Sequence, residues 1–200
     1  MFGAKANANY DGLNIPSLPP AIYKNYELTD VKKDKTTPKD GGEGTAILTF
    51  TFDGEKGPVQ HTEYDIKAGD EKAASKAENM VKRVGHILSR VGVSKEVLAT
   101  NNNTTFDAYA NWVMGVLGTS YKGIKVDIKI VGNVYQGKAT SGFPGYIPFI
   151  EKSPSNISFS ATEVSSNNAY FKTLNATPDI EGSGSASAAG APPKGIDTDF

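Results

Sequence analysis

The hydrophobic period of this chain changes along its length, and that change constrains its fold more than any other feature. From Thr45 to Phe52 the period is two. Ala46, Leu48, Phe50 and Phe52 fall on one face, and Thr45, Ile47, Thr49 and Thr51 on the other. Such alternation, rich in β-branched and aromatic residues, specifies a half-buried strand. Val59 to Ile66 reads as its return strand across the turn Asp53-Gly54-Glu55-Lys56-Gly57-Pro58, with Gln60, Thr62, Tyr64 and Ile66 on one face. Ala21 to Val31, carrying Ile22, Tyr23, Tyr26, Leu28 and Val31, precedes them as a first strand, followed by a polar loop from Lys32 to Gly42. The period then becomes helical. Ala73, Ala77, Met80, Val81, Val84, Ile87, Leu88 and Val91 make one stripe at 3.6-residue spacing, and Gly92 supplies a stop. Ser94 caps a short turn. Thr104 is the candidate N-cap of a second helix through Phe106, Ala110, Val113 and Leu117.

Period two returns after Ile124, with Val126, Ile128 and Ile130 inward and Lys125, Asp127 and Lys129 outward. Phe143 to Ile150 reads as a last strand at an edge or bulge, because Pro144 and Pro148 offer no ladder donor. Asn156 to Val164 is a candidate further strand. Residues 1–20 read as an extended arm ending in Pro19-Pro20. Residues 176–194, dominated by Gly, Ser, Ala and Pro, cannot bury a core and read as a flexible linker. A domain over residues 21–175 remains, mainly β (α+β). Its order is three strands, a helical segment over 70–117, then further strands. A five-stranded OB-type β-barrel with a helical insert between strands 3 and 4 has this order.

Little in the chain suggests catalysis. It contains no cysteine, which removes disulfides, thiolate metal sites and cysteine nucleophiles. His61 and His86 lack neighbouring ligand residues and read as structural or solvated. Gly132 to Lys138 has phosphate-loop spacing, but Ala139 stands where that loop needs Ser or Thr. Asp65, Asp70 and Glu71 offer carboxylates for a metal or acid–base work, yet their place before a helix suits capping. A non-enzymatic protein without cofactor or metal is the expectation. Met1 to Tyr10 has no secretory h-region, and no apolar run approaches the roughly 18 residues of a membrane span. No membrane association and a cytoplasmic location are expected.

Formal net charge is −1, but its distribution is uneven. Beyond Asn175 the balance is −3, leaving +2 on residues 1–175. Aromatic rings interleaved with lysines are what a single-strand stacking platform needs, a positive track with π-faces along it. Tyr23, Lys24, Tyr26, Lys32, Lys33, Lys35, Lys125, Lys129, Tyr135, Lys138, Phe143 and Tyr146 are the candidate nucleic-acid contacts. Against them stands the plain reading that half or more of the rings are core and the lysines a solvated face. Phe50, Phe52 and Trp112 are assigned to packing. The terminal Phe200 joins a ring to an α-carboxylate beside Asp197 and Asp199, a tip suited to a small apolar pocket rimmed by cations.

On this order of elements, the linker and the tip Gly195-Ile196-Asp197-Thr198-Asp199-Phe200, the chain resembles the OB-fold single-stranded DNA-binding proteins, especially those of bacteriophages. The common bacterial tip is more densely acidic and has a proline before its last phenylalanine, where this chain has Asp199. The resemblance implies sequence-independent binding of single-stranded DNA in replication, recombination or repair. It implies recruitment of replication or recombination proteins through Asp197, Asp199 and Phe200, and a bacterial host cytoplasm. The helical segment is then available for docking on the barrel or for homo-oligomerisation. The competing expectation is a non-catalytic phage structural or assembly protein.

Overall fold

The computed structural model describes residues 18–37, 42–67 and 69–175. In chain order the elements are β1 (Ala21–Lys35), β2 (Ala46–Asp53), β3 (Val59–Tyr64), α1 (Ala73–Arg90), α2 (Lys95–Leu98), α3 (Phe106–Leu117), β4 (Lys125–Tyr135), β5 (Lys138–Gly142), β6 (Ile150–Lys152) and α4 (Ala161–Asn175). The strands form one antiparallel six-stranded sheet in the order β3-β2-β1-β4-β5, with β6 also paired to β4.

The 15-residue β1 is the spine. Its first half, Ala21 to Glu27, pairs with β4, and its second half, Glu27 to Lys35, pairs with β2. Register breaks between Tyr23 and Tyr26 and between Leu28 and Asp30 lie around the hand-over. Bulges bend a strand and increase its twist, so the two halves of the sheet curl about one core. That core joins Leu48, Phe50, Phe52, Val126, Ile128 and Ile130 to Met80, Val84, Ile87 and Leu88 of α1 and Tyr109, Ala110, Val113 and Leu117 of α3.

The expected closed five-stranded barrel does not form; the sheet is open. Closure requires β3 to pair with the returning strand. That strand is split: β5 follows β4 along Val131 to Tyr135 and β6 along Val126 to Ile128. The stretch between them, expected to be a strand over Phe143 to Ile150, leaves the ladder. Pro144 and Pro148 lack N–H groups there. Phe143 and Phe149 turn instead onto the inner side of β3. Phe149 stacks on His61 at 5.2 Å, and Phe143 meets His61 at 5.4 Å and Phe52 at 5.9 Å. Rings occupy the place a hydrogen-bond ladder would fill.

The other correction lies at Asn156 to Val164, where the expected strand gives way to α4. The reason is local. Ser160 Oγ accepts from Glu163 N–H at 3.3 Å, and the Glu163 carboxylate accepts from Ser160 N–H at 2.6 Å. This is a capping box, which fixes a helix start whatever the flanking alternation. The helix lies on the outer side of β4. Lys129 donates to Glu163 at 3.0 Å, and Gly132 N–H donates to Asn167 Oδ1 at 2.8 Å. A Cβ at Gly132 would stand 2.5 Å from Tyr170 Cβ, so only glycine permits this approach.

β4 is therefore buried on both faces. Val126, Ile128 and Ile130 enter the core, while Asp127 and Lys129 are enclosed on the opposite side by the chain from Ser153 onward. Removing one partner of a buried pair strands the other charge, at a cost of roughly 3–5 kcal/mol. Lys129→Ala is accordingly expected to lower stability by about 3–5 kcal/mol in urea unfolding. Lys129→Met combined with Glu163→Leu should recover most of that loss.

Candidate nucleic-acid interface

The register of the first three strands builds one continuous outer face. Leu48, Phe50 and Phe52 enter the core, so Ile47, Thr49 and Thr51 point the other way. Ile47 lies opposite Tyr64 and Asp34, Thr49 opposite Thr62 and Lys32, and Thr51 opposite Gln60 and Asp30. Cross-strand partners share a face. The centre is a polar lattice: Thr49 and Thr62 hydroxyls meet at 3.2 Å, and Gln60 Nε2 donates to Thr51 Oγ1 at 3.1 Å. Ile47 and Thr49 are buried within it, Thr51, Gln60 and Thr62 are partly exposed, and the Tyr64 ring at its end is 57% exposed. Farther along, Glu27 of β1 faces Lys125 of β4 in register, and the two form an ion pair.

A second exposed feature is the β4–β5 hairpin. Gln136 and Gly137 have φ of 48° and 73°, the two positive values of a type I′ turn. Such a turn matches strand twist, which is why Gln136-Gly137 joins the strands so tightly. Tyr135 and Lys138 are direct register partners across it, both exposed, with the Tyr135 ring 68% accessible. Among the described residues Lys138 has no ion-pair partner.

The other lysines named from the sequence are already paired. Lys24 Nζ lies 3.0 Å from Asp127 and donates to Ser155 O at 3.1 Å. Lys32 lies 2.7 Å from Asp34, and Lys35 lies 3.7 Å from Glu43. Lys33 is on the core side of β1, held by Asp107 at 2.7 Å and Asn111 at 2.9 Å, both on α3. The Lys32–Asp34 and Lys35–Glu43 pairs are exposed, and exposed pairs contribute little to stability.

Three named residues are committed elsewhere. Tyr26 is 1% exposed, sealed by Gly54 against its ring, and has no face open to a base. Lys129 is 3% exposed and held by Glu163. Phe143 spends its ring on Phe52, His61 and Phe149. Tyr23 is half-buried, edge-on to Tyr26 at 5.8 Å, with its hydroxyl donating to Pro19 O at 2.8 Å. Tyr146 is exposed beside Ile147. Asp197, Asp199 and Phe200 lie outside the described residues, as do the linker and most of the arm. The structure thus brings Lys32 and Lys125 onto the face of Tyr64, and sets Tyr135 and Lys138 on a separate hairpin.

Gln60, Thr62 and Tyr64 are missing from the sequence-derived candidates, although their alternation is plain. Period two places them on one face without saying which face meets solvent. The core side of β3 is the surprising one, since His61 and Glu63 point inward. Glu63 accepts from Arg83 Nε and Nη2, each at 2.6 Å, and lies 2.9 Å from His61 Nε2. His86 donates from Nε2 to Ile150 O at 2.8 Å, and burial holds its pKa below the ordinary histidine range.

Asp65, Asp70 and Glu71 form no joint site. Asp70 accepts from Lys72 N–H and pairs with Lys76, at the entrance to α1. Among the described residues no group of three or more His, Cys, Asp or Glu side chains is placed to hold a metal ion. Nor is any described helix long and apolar enough to cross a membrane. Comparison with protein-family models, curated proteins and solved structures finds no match to this chain.

Asp127 anchors the wall beside this face. Burial raises its pKa, but hydrogen bonds from Ser153, Ser155, Lys24 and the Asn25 N–H outweigh burial and hold it far below the ordinary 3.8. Glu163 and Glu63 behave alike: burial raises each, and Lys129 with Ser160, or Arg83 with His61, brings each below 4.5. A carboxyl whose folded pKa is depressed stabilises the fold above its unfolded pKa and loses that contribution as pH falls. Stability should therefore be level above about pH 5 and decline progressively below it. Urea midpoints measured from pH 7 to pH 3 check this. Asp127→Asn should flatten part of the decline.

Proposed function

We propose that this chain binds single-stranded DNA without sequence preference, using the outer face of β1, β2 and β3 and the β4–β5 hairpin. The path β3-β2-β1-β4-β5 is compatible with the strand order of an OB fold, in an open sheet rather than a closed barrel. In that fold the face of strands 2 and 3 and the flanking loops contact oligonucleotides. The observation that carries the reading is the outer face itself, a lattice of hydroxyl and amide groups ending in the exposed Tyr64 ring. Hydroxyl and amide groups hydrogen-bond phosphate and sugar without reading sequence. An exposed ring stacks on any base. Tyr135 and Lys138 add a ring and a cation with no ion-pair partner among the described residues at the hairpin tip. The tip residues Asp197, Asp199 and Phe200 serve to recruit replication or recombination proteins.

One observation favours the assembly-protein reading: carboxylates already neutralise most lysines around the face. Titration with a fluorescent dT oligonucleotide and a matched duplex separates the two. Tight single-strand binding with much weaker duplex binding supports the proposal. No binding at low salt, by the folded chain or its tail-deleted form, hands the case to assembly.

Two variant sets refine the test. Tyr64→Ala and Tyr135→Ala should each weaken oligonucleotide binding by roughly 1–3 kcal/mol with the unfolding curve unchanged, and Lys138→Ala should add to the second. Deleting residues 195–200 should preserve or tighten DNA binding while abolishing partner capture.

A further inference from the structure

We infer that Glu27 and Asp34 act as built-in competitors for DNA phosphate, so that single-strand binding at this face is weak in electrostatics and tolerant of salt. The inference rests on the single-strand reading above. Both carboxylates share the outer face with the cations they neutralise. Asp34 lies two positions from Lys32 on β1 and 2.7 Å from its Nζ, and Glu27 faces Lys125 across the β1–β4 register in an ion pair. None of the four is locked in the interior: the side chains of Lys32 and Lys125 are more than half exposed, and those of Asp34 and Glu27 about a third or more. Asp30, opposite Thr51, adds a further exposed negative charge to the same face.

The consequence follows from ion bookkeeping. A lysine that meets phosphate releases condensed counterions from the strand, which is the origin of the steep salt dependence of ordinary nucleic-acid binding. Here each lysine must first leave its carboxylate. The freed carboxylate then attracts solution cations, and that uptake offsets the release. The net number of ions liberated per contact approaches zero, and affinity comes to depend on stacking at Tyr64 and hydrogen bonding along the threonine lattice. Neutralising the two carboxylates removes the competitor and restores the full release.

The experiment is a dT oligonucleotide titration of the full chain across a salt series. It compares wild type with Glu27→Gln plus Asp34→Asn, with the charge-conserving pair Glu27→Asp plus Asp34→Glu, and with Glu78→Gln plus Glu96→Gln. The last pair adds the same net charge on α1 and α2. Expected are a shallow wild-type slope of log K against log salt and a slope steeper by about 1.4 in the neutralised variant, about 0.7 for each lysine freed. Affinity at low salt should tighten by roughly tenfold, with the other two variants close to wild type. An unchanged slope in a neutralised variant of a protein that does bind would overturn the inference and leave the single-strand reading standing. So would an equal change in the α1/α2 variant, since the effect would then be one of overall charge. Absence of binding by wild type and neutralised variant alike removes the reading and the inference with it.

Discussion

The arrangement depends on two charges buried on the outward side of β4. Asp127 and Lys129 alternate with Val126, Ile128 and Ile130, and the chain can enclose these two charges only by supplying partners for them. It does so with its own later residues: Ser153 and Ser155 on Asp127, Ser158 and Glu163 on Lys129. These contacts bring the segment after β6 back over β4 and set α4 in place. They also reach β1, since Lys24 and the Asn25 N–H bind the same Asp127 carboxylate at the bulge. One carboxylate thus ties together the spine strand, its neighbour and the returning chain.

A second constraint governs the opposite end of the sheet. The segment between β5 and β6 cannot pair where its prolines stand, and its phenylalanines are too apolar to remain outside. Turning Phe143 and Phe149 inward onto His61 and Phe52 resolves both demands. The sheet stays open, and His61 and Glu63 of β3 belong to the interior with Arg83 and Phe149. Gln60, Thr62 and Tyr64 are consequently left on the outside. The candidate interface is what remains once packing has claimed the other face.

Electrostatics sort the lysines in a way that their positions in the chain do not reveal. Lys24, Lys32 and Lys125 share an outer surface with carboxylates at contact distance, Lys33 faces α3, and Lys129 is interior. A surface whose cations are matched by anions offers little long-range attraction to a polyanion. Under the proposed single-strand reading, recognition there rests on ring stacking and short-range hydrogen bonds. Lys138 differs because the hairpin carries it beyond the reach of described acidic groups.

Local physics was legible in the residues themselves. The alternation at Thr45–Phe52 is β2, the 3.6-residue stripe at Ala73–Val91 is α1 to within a residue, and Gln136-Gly137 is the tight turn that exposes Tyr135 and Lys138. These follow from periodicity and dihedral preference, which act over a few residues. The Ser160–Glu163 capping box was equally present, and the apparent alternation around it masked the helix it starts. Which face of β3 meets solvent, whether the sheet closes, and which lysine has a carboxylate at hand were decided only by tertiary structure. These depend largely on groups far apart in the chain, 26 residues for Ser153 with Asp127, 34 for Lys129 with Glu163 and 103 for Lys24 with Asp127, and the meeting of such groups is set by packing rather than by local pattern.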